Sequence, residues 1–245
     1  MCLILFAVNP GDRYRLVIAA NRDELYERPT VPAGFWDQSP RVLAGRDENM
    51  GGTWLGVNRA GRFAAVTNFR EDPPLPLPPR SRGDLPLGFL TSTKSPTDYL
   101  QDISQAGSEY RGFNLIVADR NAAGYYSNRA GSRDPRILDA GCYGLSNQLL
   151  DCDWPKVIEG RERLRQLVHL PTDALVESLF ELLLDEGDGR EFSNSFISSE
   201  VYGTRAATVV LISHQGEICF EERNFGACGV QLPGNRFRFS CTFDS

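Results

Sequence analysis

The sequence predicts an α+β protein in which antiparallel sheets are covered by helices. Strand-like apolar blocks separated by turn residues open the chain, helical periodicity is confined to its middle, and strand-like blocks return near its end. Strands first, helices inserted and strands last is the order of antiparallel layered folds, not of alternating parallel ones. With 245 residues, 41% hydrophobic, the chain is predicted to form a single domain over residues 1–245.

Two hairpins are predicted in the first third of the chain. Each consists of two apolar runs joined by a cluster of turn-forming residues, Asn9–Asp12 in the first and Asn58–Gly61 in the second. The proline-rich segment 72–88 is expected to be a long surface loop. The predicted hairpin strands are 2–8 with 15–20, and 53–57 with 62–67.

Helices and further strands are predicted from residue 96 onwards. Helical spacing of apolar residues predicts helices at 96–110, 154–170 and 172–185. A long hairpin is predicted around the turn at His214–Gly216. The remaining predicted strands are 113–119, 124–127, 143–146, 206–213 and 217–223.

Composition excludes several classes of function. The net charge of −6 argues against a nucleic-acid binder, which needs a basic surface. The apolar start of the chain lacks a basic region and is too short to span a bilayer, so no transmembrane segment and a cytoplasmic location are expected. The six cysteines show no C-x-x-C pair and no metal-ligand spacing with histidine, so neither a zinc site nor a disulfide framework is predicted.

Cys2 is the residue whose position has chemical meaning. Removal of Met1 would leave an N-terminal cysteine, whose α-amino group can accept the thiol proton near neutral pH because the two pKa values are close. An N-terminal amine is a known activating base for a nucleophile. The alternative is a small apolar residue buried in the first strand.

Polar residues at strand ends are the candidate partners of Cys2. The run Asn21-Arg22-Asp23-Glu24 follows the second predicted strand, and a hairpin returns that end to the start of the first strand. An acidic side chain there is expected to hold the α-amino group, and Arg22 to lower the pKa of the thiol. Asn68 and Asn147 are candidate donors to a developing oxyanion. Arg205 opens a later strand and completes the set.

Several motifs resemble those of the NRDE family, also called the transport and Golgi organisation protein 2 family. That family is in turn similar to the N-terminal nucleophile hydrolases of the penicillin V acylase and bile-salt hydrolase group. The resemblance implies a four-layer αββα sandwich of two antiparallel sheets flanked by helices. It also implies that Cys2 is the nucleophile, that Asn68 and Asn147 lie on the oxyanion side, and that Arg205 lies near the thiol. The motifs are Cys2-Leu-Ile, Ala19-Ala-Asn-Arg-Asp-Glu24, Gly45-Arg-Asp47, Gly51-Gly-Thr-Trp-Leu-Gly56, Thr67-Asn-Phe-Arg70 and Gly203-Thr-Arg205.

The chain departs from the acylases at one point. The acylases carry an Arg and an Asp three positions apart after the second strand, whereas Arg22 and Asp23 are adjacent here. Neighbouring side chains of a strand point to opposite faces. Either Asp23 serves the amine and Arg22 points away, or Asn21 and Glu24 occupy the two positions; we favour Asp23.

Two functions are compatible with these residues. The first is hydrolysis of a linear amide or acyl compound by a cysteine N-terminal nucleophile, which requires no cofactor. The alternative is a non-enzymatic protein that binds and carries haem, a lipid or acyl-CoA, with Cys2, His169, His214 or one of the two methionines as the haem ligand. A third interpretation treats the Asn-Arg-Asp-Glu run as a purely structural hydrogen-bond network. The oligomeric state cannot be read from the sequence.

Overall fold

A computed structural model describes residues 2–71, 80–132 and 134–242, without the side chain of Pro40. Thirteen strands and four α-helices are formed within these ranges. The strands are β1 Leu3–Val8, β2 Tyr14–Leu25, β3 Thr30–Trp36, β4 Ser39–Asp47, β5 Leu55–Asn58, β6 Phe63–Asn68, β7 Phe113–Ala118, β8 Ala123–Ser127, β9 Arg136–Ile137, β10 Gly141–Leu145, β11 Tyr202–Ser213, β12 Glu217–Phe225 and β13 Gln231–Ser240. The helices are α1 Asp84–Thr91, α2 Pro96–Gln105, α3 Pro155–Leu167 and α4 Thr172–Leu183.

The chain divides into two compact units, each built on one antiparallel sheet. The first unit comprises Met1–Arg28, Ala140–Ser146 and Leu150–Ser240. The second comprises Pro29–Asp139, Asn147–Leu149 and Cys241–Ser245. The predicted α+β class, with antiparallel sheets and flanking helices, is confirmed.

The first unit has a six-stranded sheet in the order β10-β1-β2-β11-β12-β13, with α3 and α4 packed on one face. Strand β1 is buried along its whole length, and Leu3, Leu5 and Ala7 point from it into the core formed with the two helices. Glycines permit this close approach. A Cβ on Gly160 of α3 would lie 2.6 Å from Leu5, and one on Gly144 of β10 would lie 2.8 Å from Val157.

The second unit has a seven-stranded sheet in sequence order from β3 to β9, with α1 and α2 packed on it. Its core is formed by aromatic and aliphatic residues of β6, β7 and the two helices, including Phe89 and Phe113. The motif glycines of this unit have packing roles. A Cβ on Gly45 would lie 2.2 Å from the Trp54 ring, and one on Gly52 would lie 2.5 Å from the backbone of Gly83.

Strand β2 is longer than predicted. The sequence-based strand ended at residue 20, whereas β2 continues to Leu25 and contains the whole Asn-Arg-Asp-Glu run. The reason is that β2 pairs on both sides: Leu3 of β1 lies opposite Asn21, and Thr204 of β11 lies opposite Asp23. The backbone groups of these polar residues are therefore satisfied within the sheet.

Five elements were not predicted, and one predicted loop is partly wrong. Strands β3, β4, β9 and β13 and helix α1 were absent from the prediction; β3, β9 and β13 lie at sheet edges, and β3 contains a proline and a glycine that weaken its strand pattern. Residues 84–88 of the predicted loop belong to α1, because Leu85, Phe89 and Leu90 bury one face of that helix. Residues 80–83 lead into α1 without forming a helix or a strand, and residues 72–79 lie outside the described residues. No helix among the described residues is long and apolar enough to cross a membrane.

The close contact at Gly52 predicts a stability difference between two glycines of the second unit. Gly52→Ala is expected to lower the free energy of unfolding by about 1–3 kcal/mol, because the added carbon meets backbone atoms that cannot move aside. Gly34→Ala is the matched control, since nothing lies within 4 Å of its added Cβ, and is expected to change stability by less than about 1 kcal/mol. Urea unfolding of both variants checks this, and equal midpoints would contradict it.

Candidate active site

Asp23 is a buried carboxylate held by a directed hydrogen-bond chain. The Thr204 hydroxyl donates to Asp23 Oδ1 at 2.7 Å, and the Ile197 backbone N–H donates to Thr204 Oγ1 at 3.0 Å. Because the hydroxyl oxygen already accepts from Ile197, its proton is directed to the carboxylate. Burial raises the pKa of Asp23 above its ordinary value, against the Thr204 hydrogen bond and the charge of Lys156, which lower it.

The neighbours of Asp23 on β2 separate onto the two faces of the strand. Asn21 shares the face of Asp23, and its amide donates to the carbonyls of Leu183 at 2.7 Å and Ser195 at 2.9 Å. Alternation directs Arg22 and Glu24 to the other face, where their side chains lie 3.8 Å apart. Asn21 therefore ties the strand to the helical side, while Arg22 and Glu24 pair with each other.

Of the two candidate carboxylates, Asp23 is the one that acts on Cys2. Glu24 keeps 25% of its side chain exposed and also pairs with Arg28 at 3.7 Å, whereas Asp23 is 6% exposed and its charge affects the Cys2 thiol. In the alternative pair, Asn21 donates to two backbone carbonyls and Glu24 points to the opposite face of β2. The role of Asp23 towards the α-amino group stays a prediction, because Met1 lies outside the described residues.

The Cys2 thiol lies next to Asp23 at the start of β1. Burial raises the pKa of the thiol, and the Asp23 carboxylate acts in the same direction. The Asp23 backbone N–H and the Arg22 charge lower it, so the expected effect of Arg22 is present but smaller than that of burial. The Cys2 carbonyl accepts a hydrogen bond from the Ser146 hydroxyl at 2.5 Å. Burial therefore favours the protonated thiol, which needs a base before it can attack.

Lys156 is a component of this site that the sequence reasoning missed. The residue is 2% exposed, and its Nζ has no hydrogen-bond partner among the described residues. Burial lowers the pKa of Lys156, while the charges of Asp23 and Cys2 raise it. A signal was present in the sequence: Lys156 lies on the apolar face of α3 with Gly160 and Leu164, four and eight positions on. A lysine in the first turn is also disfavoured by the helix dipole.

Arg205 is bound to the end of β2. The residue is the extra one in a β-bulge, because Thr204 pairs with Asp23 and Ala206 with Arg22. Its Nη1 donates to the carbonyls of Leu25 at 3.0 Å, Tyr26 at 3.1 Å and Arg28 at 2.9 Å. The geometry therefore gives Arg205 a role in fixing the turn after β2, and within its motif it is Thr204 that contacts Asp23.

Asn68 and Asn147 come together in the second unit. The Asn147 amide donates to the Asn68 carbonyl at 2.7 Å, and the Asn147 carbonyl accepts from the Arg70 N–H at 2.8 Å. Asn147 is buried, while Asn68, the last residue of β6, is exposed. The structure thus pairs the two predicted oxyanion-side residues, and their role in stabilising charge stays a prediction.

The two candidate haem-binding histidines both lie at the surface of the first unit. His169 lies exposed after α3, and His214 lies exposed in the turn between β11 and β12, where its Nε2 is 3.1 Å from the Gly11 carbonyl. Among the described residues, no group of three or more His, Cys, Asp or Glu side chains is arranged to hold a metal ion.

The Thr204 hydrogen bond predicts a pH-dependent loss of stability. Thr204→Val is expected to lower the free energy of unfolding by about 1–3 kcal/mol, because the Ile197 N–H and the carboxylate both lose a buried partner. The bond lowers the pKa of Asp23 in the folded state, so its contribution is present where the carboxylate is ionised and fades as the pH falls through that ionisation.

Urea unfolding at pH 8 and pH 4 checks this prediction. Thr204→Ser, which keeps the hydroxyl, should retain most of the stability. Thr208→Val makes the same chemical change at a buried position of β11 opposite Ala20, and its effect should not vary with pH. An equal loss for Thr204→Val at both pH values would show that the hydroxyl does not serve the ionised carboxylate.

Two solved structures are similar to this chain with a TM-score of 0.47. One is a Caenorhabditis elegans N-acylethanolamine-hydrolyzing acid amidase orthologue, 13% identical, covering 86% of this chain and 92% of that one. The other is a C2A mutant of the conjugated bile acid hydrolase of Clostridium perfringens, 10% identical, covering 100% of this chain and 97% of that one. At that TM-score neither similarity identifies an activity for this chain.

Sequence relatives are much closer. Transport and Golgi organization protein 2 homologs of Bos taurus and Homo sapiens are 40% and 38% identical over 258 aligned residues, covering 91% of this chain and 93% of each relative. The Drosophila melanogaster protein of that name is 27% identical, with 91% of each chain covered. The family model of Transport and Golgi organisation 2 matches residues 1–227. The chain therefore belongs to the Transport and Golgi organisation 2 family.

Proposed function

We propose that this protein is a hydrolase of a linear amide or acyl compound, with Cys2 as the nucleophile. The observation that carries the proposal is the group of ionisable side chains in the first unit: the half-buried Cys2 thiol with the buried Asp23 carboxylate and the buried Lys156 amine. Burying ionisable groups costs folding free energy, and perturbed pKa values of this kind are concentrated at functional sites.

The arrangement fits acyl transfer through a thioester. The Cys2 sulfur attacks the substrate carbonyl while its proton passes to a nearby amine, and the tetrahedral intermediate expels the substrate's amine or alcohol, which takes up that proton. Water then attacks the thioester, giving the acid and regenerating the thiol. No cofactor is required by this sequence of steps.

The α-amino group, Asp23, Asn68 and Asn147 keep the roles proposed from the sequence, whereas the role of Arg205 changes. The base is its own α-amino group once Met1 is removed, with Asp23 holding the ammonium form. Asn68 and Asn147 supply donors for the oxyanion. Arg205, bonded to the carbonyls after β2, acts through the position of that turn.

Replacing the nucleophile is expected to abolish turnover. Cys2→Ala should reduce hydrolysis of a responsive substrate, found in a panel of N-acyl aminomethylcoumarins of increasing acyl length, to the background rate, because no thioester can form. Fluorescence of the released aminocoumarin measures this. Wild-type protein mixed with substrate and quenched with acid should gain the mass of the acyl group on the peptide that contains Cys2.

Cys142→Ala is the matched control, since Cys142 is a half-buried free thiol of the same unit, and it should keep full turnover. Full turnover by Cys2→Ala would overturn the proposal.

A haem titration forms a second arm of the experiment. If the protein hydrolyses no member of the panel, and its Soret shift is lost in Cys2→Ala or His214→Ala, the function is haem binding and transport instead of hydrolysis.

A further inference from the structure

The position of Lys156 follows from how α3 lies on the sheet of the first unit. Gly160 of α3 packs directly on Leu5 of β1. Lys156 lies on the same helix face one turn earlier, and on β1 the residue before Leu5 on the same sheet face is Leu3. Leu3 lies opposite Asn21, and Asp23 is the next β2 residue on that face. The first turn of α3, with Lys156, therefore lies at the end of the sheet where Asp23 is buried, and the charges of Asp23 and Cys2 both act on the Lys156 amine.

The Lys156 backbone is hydrogen-bonded and its side chain lies beside an aromatic pair, whereas its amine makes no hydrogen bond to the described residues. The Lys156 backbone N–H donates to the Phe192 carbonyl at 3.1 Å. Trp154 stacks on Phe192 with ring centroids 4.1 Å apart, and Lys156 Nζ lies 5.9 Å from the centre of the Trp154 ring. The apolar wall excludes water, and the buried Nζ has no hydrogen-bond partner among the described residues.

The titratable groups that act on Lys156 come from three separate parts of the first unit. They are Asp23 on β2, Cys2 ahead of β1, and Cys152 in the loop before α3. Cys2 in turn is affected by Asp23 and Arg22. Burial lowers the pKa of Lys156 and raises the pKa of Cys2, so each is moved towards its neutral form, which is the state a base and a thiol must have before proton transfer.

We propose that Lys156 is a general base for Cys2 and accepts the thiol proton at Nζ. The inference rests on the proposed function, and it deepens that function by adding a base that needs no free N-terminus. Because Nζ has no hydrogen-bond partner among the described residues at rest, the lysine side chain first rotates to within hydrogen-bond distance of the thiol, and the neutral amine takes the proton as sulfur attacks. The ammonium that forms is attracted by the Asp23 carboxylate. Lys156 then gives this proton to the leaving amine or alcohol. In the second half it takes a proton from the attacking water and returns it to the departing thiolate.

The test measures how fast each cysteine of the full chain reacts with iodoacetamide between pH 5.5 and 9.5, since alkylation needs no substrate. Trypsin releases Cys2 in a peptide that ends at Arg13 and Cys228 in the peptide Asn224–Arg236. Cys228 is exposed and serves as the internal reference. Peptides that begin at Met1 and at Cys2 differ in mass and are quantified separately.

Lys156→Met is expected to slow Cys2 alkylation at pH 7 by about tenfold or more and to move its pH profile upwards by about one pH unit or more, because the thiolate loses its ammonium partner. The rate at Cys228 should not change. Lys156→Arg keeps the positive charge but cannot accept a proton. It should therefore retain Cys2 alkylation yet fail to restore amide turnover, and it also provides a second variant if the methionine protein does not fold.

Each outcome separates the inference from the proposed function. An unchanged Cys2 profile in Lys156→Met, or reaction confined to peptides that begin at Cys2, assigns the base role to the α-amino group and overturns the inference alone. Full turnover by Lys156→Arg would show that the positive charge alone is sufficient, and it would also overturn the inference. A Cys2 profile that depends on Lys156, in a protein whose Cys2→Ala variant still hydrolyses amides, overturns the proposed function instead.

Discussion

The pairing of β2 with β1 on one side and β11 on the other is the constraint on which the site depends. It carries Asp23 into the interior of the first unit and sets it opposite Thr204, whose hydroxyl the Ile197 N–H orients towards the carboxylate. A buried carboxylate is costly unless it is hydrogen-bonded. Arg205, the bulge residue of β11, stabilises this arrangement because its guanidinium binds carbonyls at the end of β2 and in the turn that follows.

Burial shifts the pKa values of three neighbouring groups in different directions, but it favours the neutral form of each. It raises the pKa of the Cys2 thiol and of the Asp23 carboxyl, and it lowers the pKa of the Lys156 amine. All three are moved towards their neutral forms, the states in which a thiol still has a proton to give and an amine can accept one. A cluster whose sole purpose was stability would gain more from apolar side chains of the same volume.

Small residues decide how closely the helical layer approaches the sheet. Gly160 and Gly144 let α3 lie directly on β1 and β10, and this contact brings the first turn of the helix, with Lys156, over the strand ends. In the second unit, Gly45 and Gly52 make room for the Trp54 ring and for the backbone of Gly83 in the same way. The glycines of several family motifs are therefore explained by packing.

The sequence by itself determined the α+β class, the hairpins, the long helices, the family and the candidate residues Cys2 and Asp23, because these depend on local alternation, helical spacing and motifs. It did not reveal the edge strands β3 and β13, whose patterns are weak or exposed. Tertiary structure alone decided that Asp23 is buried and bound by Thr204 while Glu24 stays partly exposed, that Arg205 binds a turn, and that the Lys156 amine is buried in the same unit. The physical reason is distance along the chain: Asp23 and its partner Thr204 are 181 positions apart, and only the folded sheet brings them together.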